Sequence, residues 1–206
     1  MTIEIHPATP SDAPALAEVF LSTFSDNFNV ALFPRTQDVR DWWISKFTSD
    51  ITSCTSSPPL NIVLKAIDTS SQNGDGEATI AGFANWKLPG NEDTDEEAVS
   101  WPESCIPELC ERFFGVMKEK RDKYMGAKRH YYLDILGTHP AYRGRGIASQ
   151  LLQWGISRAD QEGVDIFLSS SPQGRHLYDK YEFRVLETEK IFPDYVQSYL
   201  VRAPGQ

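Results

Sequence analysis

Residues 131–152 constrain the fold of this chain more than any other stretch. They begin as an apolar run typical of a strand, break at a glycine, turn through a His-Pro pair and continue as an amphipathic pattern typical of a helix. A helix that starts after such a turn offers unpaired amides and a positive dipole end, which together favour an anion. Gly144 and Gly146 allow the backbone to approach a phosphate closely. Arg143 and Arg145 add positive charge, so the stretch predicts a site for a cofactor that carries a diphosphate.

The composition predicts one globular domain in a reducing compartment. A chain of 206 residues with 40% hydrophobic and 24% charged residues suits a single domain, which we expect to span 1–206. Its three cysteines, Cys54, Cys105 and Cys110, lack a Cys-x-x-Cys spacing, which argues against both a disulfide framework and a zinc site. The net charge of −9 is opposite to that of a general nucleic-acid binder, and no run reaches the length of a membrane span. We therefore expect a cytoplasmic protein without a nucleic-acid or membrane partner, and leave entry into the nucleus open.

Hydrophobic patterning predicts a mixed α/β fold. Alternating or continuous apolar runs predict strands, and apolar residues three and four apart predict helices. The predicted strands span 3–5, 61–68, 78–88, 131–136, 164–168, 183–187 and 191–201. The predicted helices span roughly 12–24, 36–47, 101–125, 147–162 and 173–181, and residues 27–34 are predicted as a turn. The resulting order, βααββαβαβαββ, predicts a mixed central sheet with helices on both faces.

Two familiar nucleotide-binding motifs fit the glycine-rich turn poorly. The sequence from Gly144 to Ser149 nearly matches the dinucleotide fingerprint, which has a third Gly or Ala where the serine stands. The turn lies late in the chain, however, and the acidic residue expected at the end of a following strand is not evident, since Asp165 begins its strand. No Gly-Lys-Ser/Thr follows, which excludes a P-loop. The glycine-rich turn therefore gives little support to a nicotinamide-dependent oxidoreductase, the third function that we consider after the two given below.

A different pattern fits the turn better. Arg143-Gly144-Arg145-Gly146-Ile147-Ala148 matches [Gln/Arg]-x-x-Gly-x-[Gly/Ala], and Leu-x-Thr-x-Pro precedes it over 136–140. Together they resemble the acetyl-CoA signature of the GNAT superfamily of N-acetyltransferases. Residues 177–183, Leu-Tyr-Asp-Lys-Tyr-Glu-Phe, resemble that family's Leu-Tyr-x-x-x-Gly-Phe block. The order of elements agrees with that family over essentially the whole chain. In the detail of its motifs, the sequence is similar to uncharacterised fungal members of the family.

The resemblance implies a mostly antiparallel central sheet and a site for acetyl-CoA. The fourth strand would carry a β-bulge and splay from the fifth to make room for the cofactor arm, and we expect the bulge at Gly137. The resemblance also implies three sets of binding residues. The diphosphate would bind the backbone amides of Arg143, Gly144, Arg145, Gly146, Ile147, Ala148 and Ser149. The pantetheine would pair with the backbone of Leu136, Gly137 and Thr138. Ser171 stands where many members have an asparagine that contacts the pantetheine arm.

The chemistry requires an acid and a base. Transfer of an acetyl group from a thioester to an amine needs loss of a proton from the amine, stabilisation of the oxyanion, and departure of the thiolate. Tyr178 matches the family tyrosine that acts as general acid, although it could also be a core tyrosine with an ordinary hydrogen bond. Asp134 is the candidate base, since strand alternation places it on the same face as Leu136. His139, His130, Glu77 and a water relay are the alternatives. Glu182 departs from the glycine that the family has at that position.

The sequence thus predicts an acetyl-CoA-dependent N-acetyltransferase without a metal. It would move the acetyl group to a primary amine of a small molecule or peptide by direct attack of the amine on the thioester, and would act as a monomer or homodimer. The alternative is a non-catalytic domain that binds or senses acyl-CoA. The acceptor is not identified by the sequence.

Overall fold

The computed structural model describes residues 2–53, 59–72, 78–90 and 100–205. Within these ranges, one sheet contains seven strands in the order β1-β2-β3-β4-β5-β7-β6. The strands are β1 (Ile3–Pro7), β2 (Asn61–Gln72), β3 (Ala78–Lys87), β4 (His130–Thr138), β5 (Asp165–Ser170), β6 (Arg184–Phe192) and β7 (Tyr195–Arg202). The helices are α1 (Ala13–Thr23), α2 (Asn27–Leu32), α3 (Gln37–Ser53), α4 (Pro107–Tyr124), α5 (Ile147–Glu162) and α6 (Arg175–Tyr178).

The sheet is mostly antiparallel, with β4 and β5 as its parallel pair. This pair is parallel because α5 connects the two strands by a crossover, whereas hairpins join β2 to β3 and β6 to β7. Residues of α1 to α4 form one hydrophobic cluster, and residues of α5 form a second cluster that also contains Trp86. The predicted mixed sheet with helices on both faces is confirmed.

The parallel pair opens partway along its length. Pairing between β4 and β5 begins at His130 with Asp165 and ends at Leu133 with Leu168, while β4 itself continues to Thr138. The predicted splay between the fourth and fifth strands is therefore confirmed. Beyond Leu133, no strand of the described residues lies beside the edge of β4 that faces β5.

The bulge lies at Asp134, and the expectation that it lies at Gly137 is wrong. On β3, Asn85 pairs with Ile135 and the next residue pairs with Leu133, so Asp134 is the extra residue on β4. Gly137 is regularly paired, and a Cβ on it would lie 2.7 Å from Cε1 of Phe83. Glycine at 137 thus serves close packing between strands rather than a bulge.

Three element boundaries also differ from expectation. The predicted turn at 27–34 contains α2, whose N-cap Asp26 accepts a hydrogen bond from Asn29 N at 3.1 Å. Helix α3 continues to Ser53, beyond the predicted end at 47. Helix α4 begins at Pro107 rather than at 101, because proline is favoured in the first turn, where no helical N–H is needed.

Candidate functional site

The glycine-rich turn leads from β4 into α5 through two left-handed residues. Gly144 and Gly146 have φ of +75° and +77°, and a Cβ on either would contact nothing within 4 Å. Backbone conformation rather than packing therefore favours glycine at both positions. Gly146 is the N-cap of α5 without a side-chain cap, and the first helical bond runs from Gln150 N to Gly146 O at 3.1 Å. The amides of 147–149 precede that bond, so they can hold an anion at the positive end of the helix.

Two hydrogen bonds fasten this turn to α1. Arg143 Nη2 donates to Thr23 O at 3.0 Å, and Thr23 Oγ1 donates to Thr138 O at 3.1 Å. The guanidinium of Arg145 lies over the Tyr142 ring, 5.2 Å from its centroid. Arg143 therefore positions the turn in addition to bringing charge to it.

A cavity of about 550 Å³ lies at the opening between β4 and β5. It is in the range of small-molecule sites in proteins, roughly 300–1,000 Å³. Of the predicted site residues, the cavity brings together Asp134, Leu136, Ser171 and Tyr178 in its lining. Gly137 and Thr138 follow along β4, and the glycine-rich turn lies beyond the end of that strand, outside the lining.

Tyr178 presents a protonated hydroxyl to this cavity. The side chain is 6% exposed, and its ring packs edge-on against Phe183 with centroids 5.5 Å apart. Among the described residues, Tyr178 Oη makes no hydrogen bond. Burial raises the pKa of Tyr178, which keeps the hydroxyl protonated at neutral pH. An unpaired hydroxyl in a cavity differs from the ordinary core tyrosine, whose hydroxyl finds a partner.

Asp134 lies on the opposite face of β4 from the one expected. Because Asp134 is the bulge residue, strict alternation fails between it and Leu136. Leu136 packs with the second cluster, whereas Asp134 Oδ2 accepts a long hydrogen bond of 3.4 Å from Asn85 Nδ2. Asn85 in turn contacts α3, so Asp134 lies on the face covered by α1 to α4.

The sequence did not single out two partners of Asp134. Asn85 Nδ2 also donates to Asp50 Oδ2 at 2.9 Å, and Lys46 Nζ lies 2.7 Å from both oxygens of that carboxylate. Burial raises the pKa of Asp50 although Lys46 opposes the shift. We call Asp50, Asn85 and Asp134 the carboxylate cluster. An asparagine inside the apolar run of β3 was the available signal for it, because a polar residue on a buried strand needs partners.

His139, an alternative for the general base, and Glu182, which departs from the family pattern, both lie in turns, and Glu77 lies outside the described residues. His139 accepts a hydrogen bond from Ala141 N at 3.2 Å and caps the short 3-10 turn before the glycines. Glu182, at the position of the family glycine, has a φ of +61°. The backbone there keeps the left-handed conformation that glycine would favour, at the cost of strain.

The same ranges also bear on metal binding, membrane spans and the state of the cysteines. Among the described residues, no group of three or more His, Cys, Asp and Glu side chains is arranged to hold a metal ion. No helix of the described chain combines the length and the apolar character needed to cross a bilayer. Cys105 and Cys110 are buried free thiols, and Cys54 lies outside the described residues.

Solved structures with this fold are acetyltransferases and a condensation domain. The PaiA N-acetyltransferase from Thermoplasma acidophilum in complex with coenzyme A is 17% identical, with a TM-score of 0.60 over 98% of this chain and 99% of that chain. Arabidopsis thaliana NAA60 in complex with a bisubstrate analogue is 18% identical, with a TM-score of 0.61 over 99% of each chain. The C-terminal condensation domain of Ebony, in complex with beta-alanyl-dopamine, is 15% identical, with a TM-score of 0.69 over 98% and 99%. No curated protein matches the chain by sequence.

A protein-family comparison covers most of the chain. The model of the acetyltransferase (GNAT) family matches residues 37–183, which include α3, the glycine-rich turn and Tyr178. The match spans more than half of the chain and includes both β4 and β5, the strands that open beside the cavity. The chain therefore belongs to the GNAT acetyltransferase family.

Proposed function

We propose that this chain is an acetyl-CoA-dependent N-acetyltransferase that transfers an acetyl group to a primary amine by direct attack of the amine on the thioester. The observation that carries the proposal is the cavity at the β4–β5 opening, whose lining contains both Tyr178 and Asp134 beside Leu136. Family membership supports acetyl transfer in general. Similar structures that contain coenzyme A, a bisubstrate analogue and beta-alanyl-dopamine are consistent with an amine acceptor.

The residues around the opening fit acetyl-CoA. The diphosphate would be held by the backbone amides of 143–149, where the left-handed glycines and the unbonded amides of α5 form an anion site. The pantetheine would lie along Leu136 to Thr138, on the edge of β4 that faces β5 beyond the last β4–β5 pair, with Ser171 near it. When bound, acetyl-CoA supplies the thioester carbonyl that the amine attacks.

Each catalytic role then falls to a group of this chain. Asp134 accepts the proton of the acceptor ammonium, which frees the nitrogen lone pair to form the new C–N bond. A backbone amide of Leu136, Gly137 or Thr138 stabilises the oxyanion as it develops. As the C–S bond breaks, the attacking nitrogen loses its second proton to solvent, and Tyr178 donates its proton to the departing thiolate, which leaves as the coenzyme A thiol. Tyr178 then regains a proton from solvent, so that the amide, the thiol and one proton are released overall.

We also propose the remaining features expected from the sequence. The chain would act as a single domain over 1–206, in the cytoplasm, as a monomer or homodimer. Its partners would be acetyl-CoA and an amine-bearing small molecule or peptide, without a nucleic acid, a membrane or a metal.

A turnover assay with two tyrosine variants tests the proposal. Mass spectrometry would follow gain of an acetyl group by a panel of amines and peptides, together with release of free coenzyme A. We expect Tyr178→Phe to lower kcat about 100-fold or more, because general acid catalysis contributes on that scale. The dissociation constant for acetyl-CoA, measured by calorimetry, should stay nearly unchanged.

Tyr181→Phe is the matched control. Tyr181 lies three residues further on, is partly exposed, packs against the second cluster and is absent from the cavity lining, so its variant should turn over like the parent. Equal kcat for Tyr178→Phe and the parent would remove Tyr178 from the mechanism. Tight binding of acetyl-CoA without acetyl transfer to any acceptor would instead favour the non-catalytic acyl-CoA-binding domain.

A further inference from the structure

The cavity is predominantly aromatic on the side formed by α1, α3, α4 and the residues that follow α2 and precede α4. Phe20 and Trp43 lie with ring centroids 3.7 Å apart, and Phe33 packs edge-on against Trp43 at 5.0 Å. Trp101 and Phe114 stack at 5.2 Å, with an angle of 18° between their ring planes. All five side chains line the cavity, so a flat ring is the ligand shape that such walls pack against most favourably.

The opposing sheet contributes a buried acceptor without a donor. Asn85 is 1% exposed and lines the cavity, and its Oδ1 has no hydrogen-bond partner among the described residues. The amide orientation follows from its neighbours, because Nδ2 faces carboxylate oxygens of Asp50 and Asp134 and a flipped amide would place oxygen against oxygen. A buried carbonyl oxygen without a partner is stabilised by a donor from a water or a ligand.

The charges beside Asn85 indicate which donor fits. Lys46 forms an ion pair with Asp50 and contacts both of its oxygens. The other lysine of the lining, Lys87, lies over the Tyr132 ring, 5.9 Å from its centroid. Asp134 Oδ2 accepts a long hydrogen bond of 3.4 Å from Asn85 Nδ2. An ammonium group supplies several N–H donors and a positive charge, and therefore complements both Asn85 Oδ1 and the Asp134 carboxylate.

We propose that the acceptor is a small aryl-alkyl primary amine. Its ring lies between the aromatic side chains of α1, α3 and α4, and its ammonium donates to Asn85 Oδ1 and to Asp134. This inference rests on the proposed function and adds to it the substrate class. A linear polyamine would leave its additional charges against aromatic walls, and a peptide acceptor would place peptide groups there, so both fit the cavity less well.

Binding of defined amines to the full chain tests this inference separately from catalysis. Fluorescence of the cavity tryptophans, measured with coenzyme A present, would follow titration with phenethylamine, hexylamine, 2-phenylethanol, spermidine and a tetrapeptide with a free N-terminus. We expect phenethylamine to bind about 10-fold or more tighter than hexylamine, which lacks the ring, and than 2-phenylethanol, which lacks the ammonium. The ranking of kcat/KM among the amines should follow the ranking of their affinities.

Two variants examine the ammonium contact. Asp134→Asn should weaken phenethylamine about 10-fold or more and leave 2-phenylethanol unchanged, since only the former carries a charge for this carboxylate. Asp41→Asn is the control, because Asp41 lies on α3, is exposed and is absent from the lining. If Asp134→Asn does not fold, the ligand series on the parent chain decides the question.

The outcomes separate the two proposals. Preference for spermidine or for the tetrapeptide, or equal affinity for phenethylamine and 2-phenylethanol, would overturn the aryl-alkyl amine while leaving acetyl transfer intact. Absence of acetyl-CoA binding would instead overturn the proposed function.

Discussion

At the scale of the residue, packing decides several positions that chemistry alone would not explain. Trp86 is fully buried, and its ring edge occupies the space that a side chain at 155 would need. A Cβ on Gly155 would lie 2.3 Å from Cζ2 of Trp86. Gly155 therefore lets α5 approach the sheet closely on the face opposite the cavity.

Gly155→Ala should destabilise the protein in spite of alanine's higher helix propensity. Alanine gains up to about 1 kcal/mol over glycine inside a helix, while overpacking a closed core costs about 1–3 kcal/mol. Because the neighbour is a rigid buried indole, we expect the second effect to prevail. The free energy of unfolding in urea would measure it. Gly115→Ala, on α4 with nothing within 4 Å of the added Cβ, should be neutral or stabilising. A Gly155→Ala protein as stable as the parent would contradict this account of packing.

At this scale, a sequence motif was enough to locate a residue at the cavity. The face on which a strand residue lies could not be predicted, because it depends on the register of strand pairing. Tyr178 could be placed near the cavity from its sequence block alone. The contact of Asp134 with Asn85 and Asp50 could not be predicted, because a single bulge residue reverses the face on which a side chain lies. Only the asparagine within an apolar strand pointed to a polar neighbour.

At the scale of the element, two carboxylates hold α4 to β6: Lys120 Nζ lies 3.1 Å from Glu189 Oε2, and Glu187 makes the larger set of contacts. Glu187 accepts hydrogen bonds from Lys120 Nζ at 2.8 Å, Lys123 Nζ at 2.9 Å and Tyr124 Oη at 2.6 Å. These donors, Lys120 first among them, lower the pKa of Glu187 to about 2. Since α4 contributes Phe113 and Phe114 to the cavity wall, the link also bears on the shape of the cavity.

The lowered pKa gives this link a defined pH dependence. The folded protein holds Glu187 ionised to lower pH than the unfolded chain does, so the stabilisation is present above the ordinary pKa of 4.5 and is lost as the pH falls toward about 2. Glu187→Gln should therefore lower the Tm at neutral pH and reduce the difference from the parent as the pH falls through this window. Thermal unfolding at a series of pH values measures the effect. A difference in Tm that stays constant from neutral pH to pH 2 would contradict it.

Element prediction from sequence identified the long periodic segments, although α3 ends and α4 begins about six residues from the predicted positions, and it was weak for short segments. The strand before the glycine-rich turn and the helix after it were located correctly, and so was the splay beside them. The short α2 was missed, because six residues contain too little periodicity to separate a helix from a turn. Its capping Asp26 was the available local signal.

At the scale of the whole molecule, the two halves of the candidate site differ in how far sequence predicts them. Apart from Ser171, the residues predicted to bind the cofactor lie within one continuous stretch, from Leu136 to Ser149, so local motifs could identify them. The acceptor half is assembled from α1, α3, α4, β3 and β7, whose side chains meet only through tertiary packing. The contacts among its aromatic side chains and within the carboxylate cluster therefore could not be predicted from the sequence.

The central claim is that the turn before α5 binds acetyl-CoA, and isothermal titration of acetyl-CoA into the full chain tests it most directly. Gly146→Ala and Gly163→Ala form a matched pair, since both glycines cap α5 with left-handed φ, +77° and +66°, and neither Cβ would meet an atom within 4 Å. Each variant should lose about 1–2 kcal/mol of stability from the same backbone strain. We predict binding to the parent at one site, about 10-fold or more weaker binding to Gly146→Ala, and unchanged affinity for Gly163→Ala. No binding to the parent, or equal affinity in the two variants, would contradict the account.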